Sequence, residues 1–191
     1  MKNKQTIQII GGRFKGRKLK MANLSTTRSS KAILKESLFN TLYTDVVGVN
    51  FVEFFAGTGS IGCEALSRGA KCGIFFEKDK DSYEVLKENL QTICNDCEYK
   101  IIFGDTFSKY KELKPEEPSI AYFDPPFCIR DGMDNVYDKT FNIIKSLDSK
   151  VFIYVIIEHI SNIQTPQNIG NFTLIKSKKF GNSTLSYYKE I

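Results

Sequence analysis

One histidine, His159, stands in the whole sequence, and the cysteines number five, an odd count. The first scarcity removes His-based metal sites, and the second argues against a fully paired disulfide framework. Cys94-x-x-Cys97 has the spacing of half a zinc site, but no second C-x-x-C accompanies it. Cys63, Cys72, Cys94, Cys97 and Cys128 are therefore read as reduced structural thiols, and no metal is expected. Long apolar runs are also missing: the longest, Val151–Ile157, is far too short to cross a bilayer. The N-terminal stretch MKNKQTIQIIGGRFKGRK lacks the continuous apolar core of a signal peptide. A cytoplasmic protein without a membrane segment is expected. Acidic residues are absent from the first 35 positions, which hold ten Lys or Arg, whereas the remainder carries 17 basic against 22 acidic residues. A basic arm on a mildly acidic body suits a polyanion, and the lack of a membrane segment favours nucleic acid over lipid. The same composition also fits a plain solvated surface.

What is present suits one domain: 191 residues, 41% hydrophobic and 26% charged. Residues 1–28 read as a basic arm and 29–191 as a core. Ile7–Ile10 and Phe14–Leu19 flank Gly11-Gly12-Arg13, the pattern of a short β-hairpin. Ser29 or Ser30 can cap a helix reaching Tyr43, with Ile33, Leu34, Leu38 and Leu42 at helical spacing. From Val49 onward strands and helices alternate, with strands near 49–55, 72–77, 99–104, 119–124, 151–158, 172–177 and 183–189. Runs such as CGIFFE and VFIYVII are apolar without alternation, as in strands covered on both faces. The expected fold is α/β: a mostly parallel, doubly wound seven-stranded sheet. The short KSKKFGNS between the last two strands forces one of them to run antiparallel.

In such sheets ligands bind beyond the carboxyl ends of the strands. Four of those ends carry polar or glycine-rich residues: Glu53 to Gly59, Glu77, Asp105 and Asp124. FVEFFAGTGSIGCEA contains Gly57-x-Gly59-x-x-Gly62, and Glu77 follows Gly57 at the distance of a ribose-binding acid. The pattern fits a dinucleotide, whose pyrophosphate would sit on a helix N-terminus. It equally fits S-adenosylmethionine, which has no phosphate and carries an ammonium and a sulfonium. Glu53, just ahead of the loop, favours that cation and opposes a pyrophosphate. Asp105 can accept a bond from an adenine amine or cap the helix after it.

The segment SIAYFDPPFCIR separates the two cofactors. Two prolines stop the strand at Asp124. An exocyclic base amine is a poor nucleophile, because its lone pair is delocalised into the ring. The Asp124 carboxylate and Pro125 carbonyl can hold its N–H bonds, and Phe127 offers a flat face whose stacking contributes about 1–3 kcal/mol. Displacement at the methyl then needs chiefly placement, which can supply ~7–11 kcal/mol. A dehydrogenase has no evident use for this segment. Cytosine C5 methylation needs a thiol nucleophile, commonly after proline, and no Pro-Cys dipeptide occurs. His159 reads as packing or surface, and Arg130 as a solvated loop charge.

The chain resembles the RsmD-type bacterial 16S rRNA guanine-N2 methyltransferases, within the class I S-adenosylmethionine-dependent, Rossmann-like fold. The likeness runs through IIGGRFKGRKLK, TTRSSKAILKESLFNTL, EFFAGTGSIGCEALSRGA, FFEKD, FDPPF and FGNSTLSYYK. It implies that Glu53, Phe55, Gly57 and Gly59 hold the cofactor, with Glu77 on the ribose and Asp105 on the adenine. Asp124, Pro125 and Phe127 would then serve the target guanine. Arg13, Lys15, Arg17, Lys18 and Arg28 would meet RNA phosphates, together with Lys20, Lys31 and Lys35. The implied partner is 16S rRNA, alone or in the small ribosomal subunit, and the implied state a monomer. Two departures stand out. Arg28-Ser29-Ser30 replaces the family's Arg-Pro-Thr, which leaves a contact from Ser30 to the cofactor carboxylate open. Glu53 replaces Asp. Guanine offers adjacent N1–H and N2–H donors to an acceptor-only carboxylate. A nucleic-acid adenine-N6 methyltransferase is the runner-up, followed by an NAD-dependent oxidoreductase and a non-catalytic RNA-binding module.

Overall fold

The computed structural model describes residues 6–21, 28–94, 98–126 and 135–191, with the backbone alone for 28–31. Strands β1 (Thr6–Gln8) and β2 (Lys18–Lys20) pair antiparallel, with Ile7 opposite Leu19. The hairpin therefore forms, but the strands are shorter and the connection longer than the apolar stretches suggested. Phe14 leaves the ladder to bury its ring in the core. Helix α1 spans Arg28–Leu42, so Ser29 and Ser30 fall inside its first turn rather than at its cap. Its buried stripe is Leu34, Leu38, Phe39 and Leu42, whereas Ile33 is 58% exposed, one position off that stripe.

The core then alternates β3 (Asn50–Glu53), α2 (Ser60–Ser67), β4 (Cys72–Glu77), α3 (Lys80–Ile93) and β5 (Glu98–Phe103). After the one-turn α4 (Thr106–Lys109) come β6 (Ser119–Phe123), α5 (Val136–Ser146) and β7 (Phe152–Ile160). Strands β8 (Asn168–Ile169), β9 (Phe172–Phe180) and β10 (Ser183–Lys189) complete the chain. The sheet order is β5-β4-β3-β6-β7-β10-β9-β8. Strands β3 to β7 are mutually parallel, and β10 is antiparallel to both β7 and β9. The sheet thus has eight strands rather than seven, because Asn168 and Ile169 fold back antiparallel on β9. Two residues are too few to produce a periodic signal.

Both faces are covered, which explains the non-alternating strands. Phe51, Phe75, Tyr122, Ile156 and Leu185 meet the hairpin, α1, α2 and α3. Val52, Phe54, Phe76, Phe123 and Ile157 meet α5 on the other side. Phe54 stacks between Phe76 and Phe123, at centroid distances of 5.2 and 4.2 Å.

The basic arm is fastened to this core by backbone contacts. Gly12 has φ +74°, and a Cβ there would lie 1.9 Å from the Ser67 carbonyl oxygen, so only glycine lets the arm approach α2. Arg13 N–H donates to that carbonyl at 2.8 Å, and Phe14 N–H to Ser67 Oγ at 2.9 Å. Glu64, fully buried on α2, accepts from Ile10 N–H at 2.9 Å and Arg68 Nε at 2.9 Å, and pairs with Lys35 Nζ at 3.1 Å. Lys35 Nζ also donates to the Gln8 carbonyl. Lys35, expected among the phosphate-contacting cations, is instead 1% exposed and serves as an internal tie.

Cys63 and Cys72 are free thiols, but Cys94 is disulfide-bonded, which corrects the reading of uniformly reduced cysteines. Cys94 follows the last residue of α3 in an extended backbone conformation and packs, partly buried, against the core. Cys97 and Cys128 lie outside the described residues. No helix among the described residues is long and apolar enough to cross a membrane.

Candidate active site at the strand-order reversal

The chain builds outward from β3 through β4 to β5, then returns to β6 beside β3 and continues to β7. The carboxyl ends of β3 and β6 therefore flank a crevice at the point where strand order reverses, the ligand position of open α/β sheets. Glu53 ends β3 opposite Tyr122, and Asp124 follows β6 directly.

The glycine loop is tied down from both sides. Gly57 N–H donates to Glu77 Oε2 at 2.6 Å, and Gly62 N–H to Glu53 Oε2 at 2.9 Å. Gly57 and Gly59 have φ of +53° and +75°. A Cβ on Gly59 would lie 2.3 Å from Leu86 Cδ1, whereas one on Gly57 would meet nothing within 4 Å. Gly59 is therefore favoured chiefly by its left-handed backbone, with Leu86 crowding the position, and Gly57 leaves the outer face of the loop bare for a ligand.

Glu77 is buried and also accepts from Asp79 N–H at 2.6 Å. Burial pushes its carboxyl above the ordinary value of 4.5, with the backbone N–H groups pulling the other way. Capping of α3 falls to Asp79, which accepts from Ser82 N–H at 2.8 Å. Asp105, partly exposed, occupies the N-cap position of α4 without a side-chain cap bond. The Thr106 hydroxyl, donating to the Phe54 carbonyl, anchors that corner to β3. Phe55 packs on Phe107 beside it, at 5.5 Å between centroids.

Beyond β6, Asp124 is half-buried and Pro125 buried. Under them the Tyr122 hydroxyl, fully buried, donates to Glu158 Oε2 at 2.6 Å. Burial holds the Tyr122 phenol well above its usual range, and the charges of Glu158, Asp124 and Glu53 add to this. Glu158 thus touches Tyr122 directly, while Glu53 and Asp124, at the ends of the adjacent strands β3 and β6, add negative charge at the strand-order reversal. That concentration of negative charge suits a cationic ligand and opposes a phosphate. Cys63, behind the loop, is fully buried with its thiol pushed far up by burial, so it is no nucleophile.

The structure brings Glu53, Phe55, Gly57, Gly59, Glu77, Asp105, Asp124 and Pro125 to one rim. Phe127, Arg130 and the side chains of Arg28, Ser29, Ser30 and Lys31 lie outside the described residues. Arg13, Lys15, Arg17 and Lys18 are all exposed on the arm. Arg17 also donates to the Thr92 carbonyl at 3.1 Å, at the end of α3, and Lys20 pairs with Glu88 at 2.6 Å. These two cations therefore also hold the arm in place. His159 is buried, bonded to the Ile160 carbonyl and to Ser186 Oγ, and its imidazole is lowered by burial, in keeping with a packing role. Glu158, Glu64 and Asn89 escaped the sequence reading, because each acts through partners distant in the chain.

The family model described as Conserved hypothetical protein 95 matches residues 7–189. The ribosomal RNA small subunit methyltransferase D of Haemophilus influenzae is 32% identical over 183 residues, which cover 93% of this chain and 91% of that protein. A solved Escherichia coli structure, the methyltransferase candidate yhhF, superposes with a TM-score of 0.78 at 26% identity over 97% of this chain and 98% of its own. More distantly, M. jannaschii TYW2, solved in complex with AdoMet, shares the fold at a TM-score of 0.53 and 15% identity, over 92% of this chain and 84% of its own. A hairpin docked on a Rossmann-like sheet, a carboxylate-rich crevice and matches of this length lead to one conclusion: the chain belongs to the ribosomal RNA small subunit methyltransferase D family.

Proposed function

We propose that this protein methylates the exocyclic N2 amine of a guanine in small-subunit ribosomal RNA, in the cytoplasm, with S-adenosylmethionine as donor. The observation that carries the reading is the placement of Glu53 and Asp124 at the carboxyl ends of the neighbouring strands β3 and β6, beside a glycine loop whose outer face is open at Gly57. The cofactor fits this donor set: it is cationic, and it supplies an activated methyl group. Glu53 and the Gly57–Gly59 loop hold its methionine part, Glu77 accepts from the ribose hydroxyls, and Asp105 and Phe55 serve the adenine. Asp124 and the Pro125 carbonyl accept from the guanine N1–H and N2–H, which orients the amine. Phe127 stacks on the base. The proton leaves after the methyl has arrived, so no strong base is required. Arg13, Lys15, Lys18 and Arg28 meet phosphates, an attraction that weakens steeply with salt.

Labelled S-adenosylmethionine incubated with small subunits from a strain lacking this activity should yield N2-methylguanosine on nucleoside analysis. Label found on the adenine N6 instead would establish the runner-up. Absence of transfer with RNA binding retained would indicate a non-catalytic module.

The raised carboxyl of Glu77 sets a pH dependence. Ribose hydroxyls need the ionised acceptor, so S-adenosylhomocysteine affinity is full above the raised value and falls as the pH drops through it, starting above 4.5. Titration calorimetry between neutral and mildly acid pH should show this decline, flattened in Glu77→Gln. For folding the sign is opposite. Ionising a buried acid costs stability, so this contribution is present below 4.5 and lost as the pH rises through the folded value.

A further inference from the structure

Asn89 lies on α3, 2% exposed, outside every role assigned so far. Its carboxamide is used on three sides. Oδ1 accepts from Lys20 N–H at 2.8 Å, and Nδ2 donates to the Lys20 carbonyl at 3.0 Å and to the Thr58 carbonyl at 2.9 Å. Lys20 ends the second strand of the basic arm, and Thr58 stands between the two glycines of the loop. One side chain therefore joins the RNA-facing arm to the cofactor-facing loop, pairing with the arm as a neighbouring strand would.

Here the donor pair is split between two segments that are remote in sequence and serve different ligands. The Thr58 carbonyl is also placed where loop movement is felt: Gly57 and Gly59 on either side both sit in the left-handed region, and Gly57 N–H is pinned by Glu77. A shift of the arm on binding RNA pulls on Lys20, and through Asn89 on the carbonyl between those glycines.

We infer that Asn89 is a positioning residue that couples RNA binding at the arm to cofactor binding at the glycine loop. The inference rests on the functional reading above. Coupling is reciprocal: RNA tightens the cofactor by the factor by which the cofactor tightens RNA. Couplings of this kind are typically about 5–150-fold.

The test measures S-adenosylhomocysteine affinity with and without saturating small-subunit RNA, in the wild type, Asn89→Leu and Asn89→Asp. Asn89→Asp keeps the acceptor for Lys20 N–H but places negative charge against the Lys20 and Thr58 carbonyls. The wild type should bind the cofactor product several-fold tighter with RNA present, and the ratio should fall to near one in both variants. A ratio equal in wild type and variants overturns the inference, even if both variants bind more weakly overall. Wild-type protein that binds no S-adenosylhomocysteine at all overturns the functional reading first, so the two failures are distinguishable. Hydrogen exchange on the wild type needs no variant to fold. Addition of S-adenosylhomocysteine should slow exchange of the Lys20 amide, and an unchanged rate there counts against the coupling.

Discussion

Asp124→Asn is expected to slow methyl transfer roughly 10²–10³-fold, the usual loss when one preorganised group is removed from a reacting centre. The substitution preserves shape and the proline turn, but it exchanges one acceptor oxygen for an amide donor that faces the donor edge of guanine. The amine then loses its alignment. Asp124 lies on the rim, half-buried, whereas the loop contacts of Glu53 and Glu77 are made by other strands. Affinity for S-adenosylhomocysteine, which lacks the sulfonium charge, should therefore change little while the rate collapses. Initial rates with labelled cofactor, beside calorimetry with S-adenosylhomocysteine, separate the two. A variant that transfers methyl at close to the wild-type rate would remove Asp124 from the chemistry and with it the proposed base pocket.

The second large effect concerns stability. Glu64→Leu leaves Lys35 charged at 1% exposure without its counterion, and it strips the acceptor from Ile10 N–H. Breaking one side of a buried pair costs about 3–5 kcal/mol. For a domain of this size each kcal/mol lowers the melting temperature by about 2–4 °C, so a drop of roughly 6–20 °C is expected. Adding Lys35→Met should recover part of the loss by removing the stranded charge. The remainder then measures the Ile10 amide and Arg68. Thermal denaturation of the wild type, the single and the double variants decides the matter. A single variant melting with the wild type would show that the buried Glu64–Lys35 pair adds nothing measurable to the hold on the arm.

The sequence was most legible where chemistry and strand ends coincide. Glu53, Glu77, Asp105 and Asp124 each follow an apolar run, and parallel strands bring such ends to one edge, so naming the strands was enough to assemble the rim. The arm was misjudged for the opposite reason. Lys35 reads in the sequence as one more cation of the arm, because the Glu64 that neutralises it lies on a different helix, and Ile10 reaches Glu64 across 54 positions. Lys20 and Asn89 are 69 apart. Spacing carries no trace of such pairs, since they arise only when the hairpin has docked. Glu158 illustrates a third case: it continues the apolar run of β7, and its task emerges only from the facing hydroxyl of Tyr122.

The placement of β10 bears on how the polypeptide matures. This last strand is inserted between β7 and β9, so the border of β7 has nothing to pair with until residues 183–189 have been synthesised. A nascent chain halted before them would display the apolar VFIYVII stretch along an open border, the kind of template on which chains aggregate. Premature termination within residues 183–189 therefore removes a buried strand from inside the sheet rather than a peripheral tail.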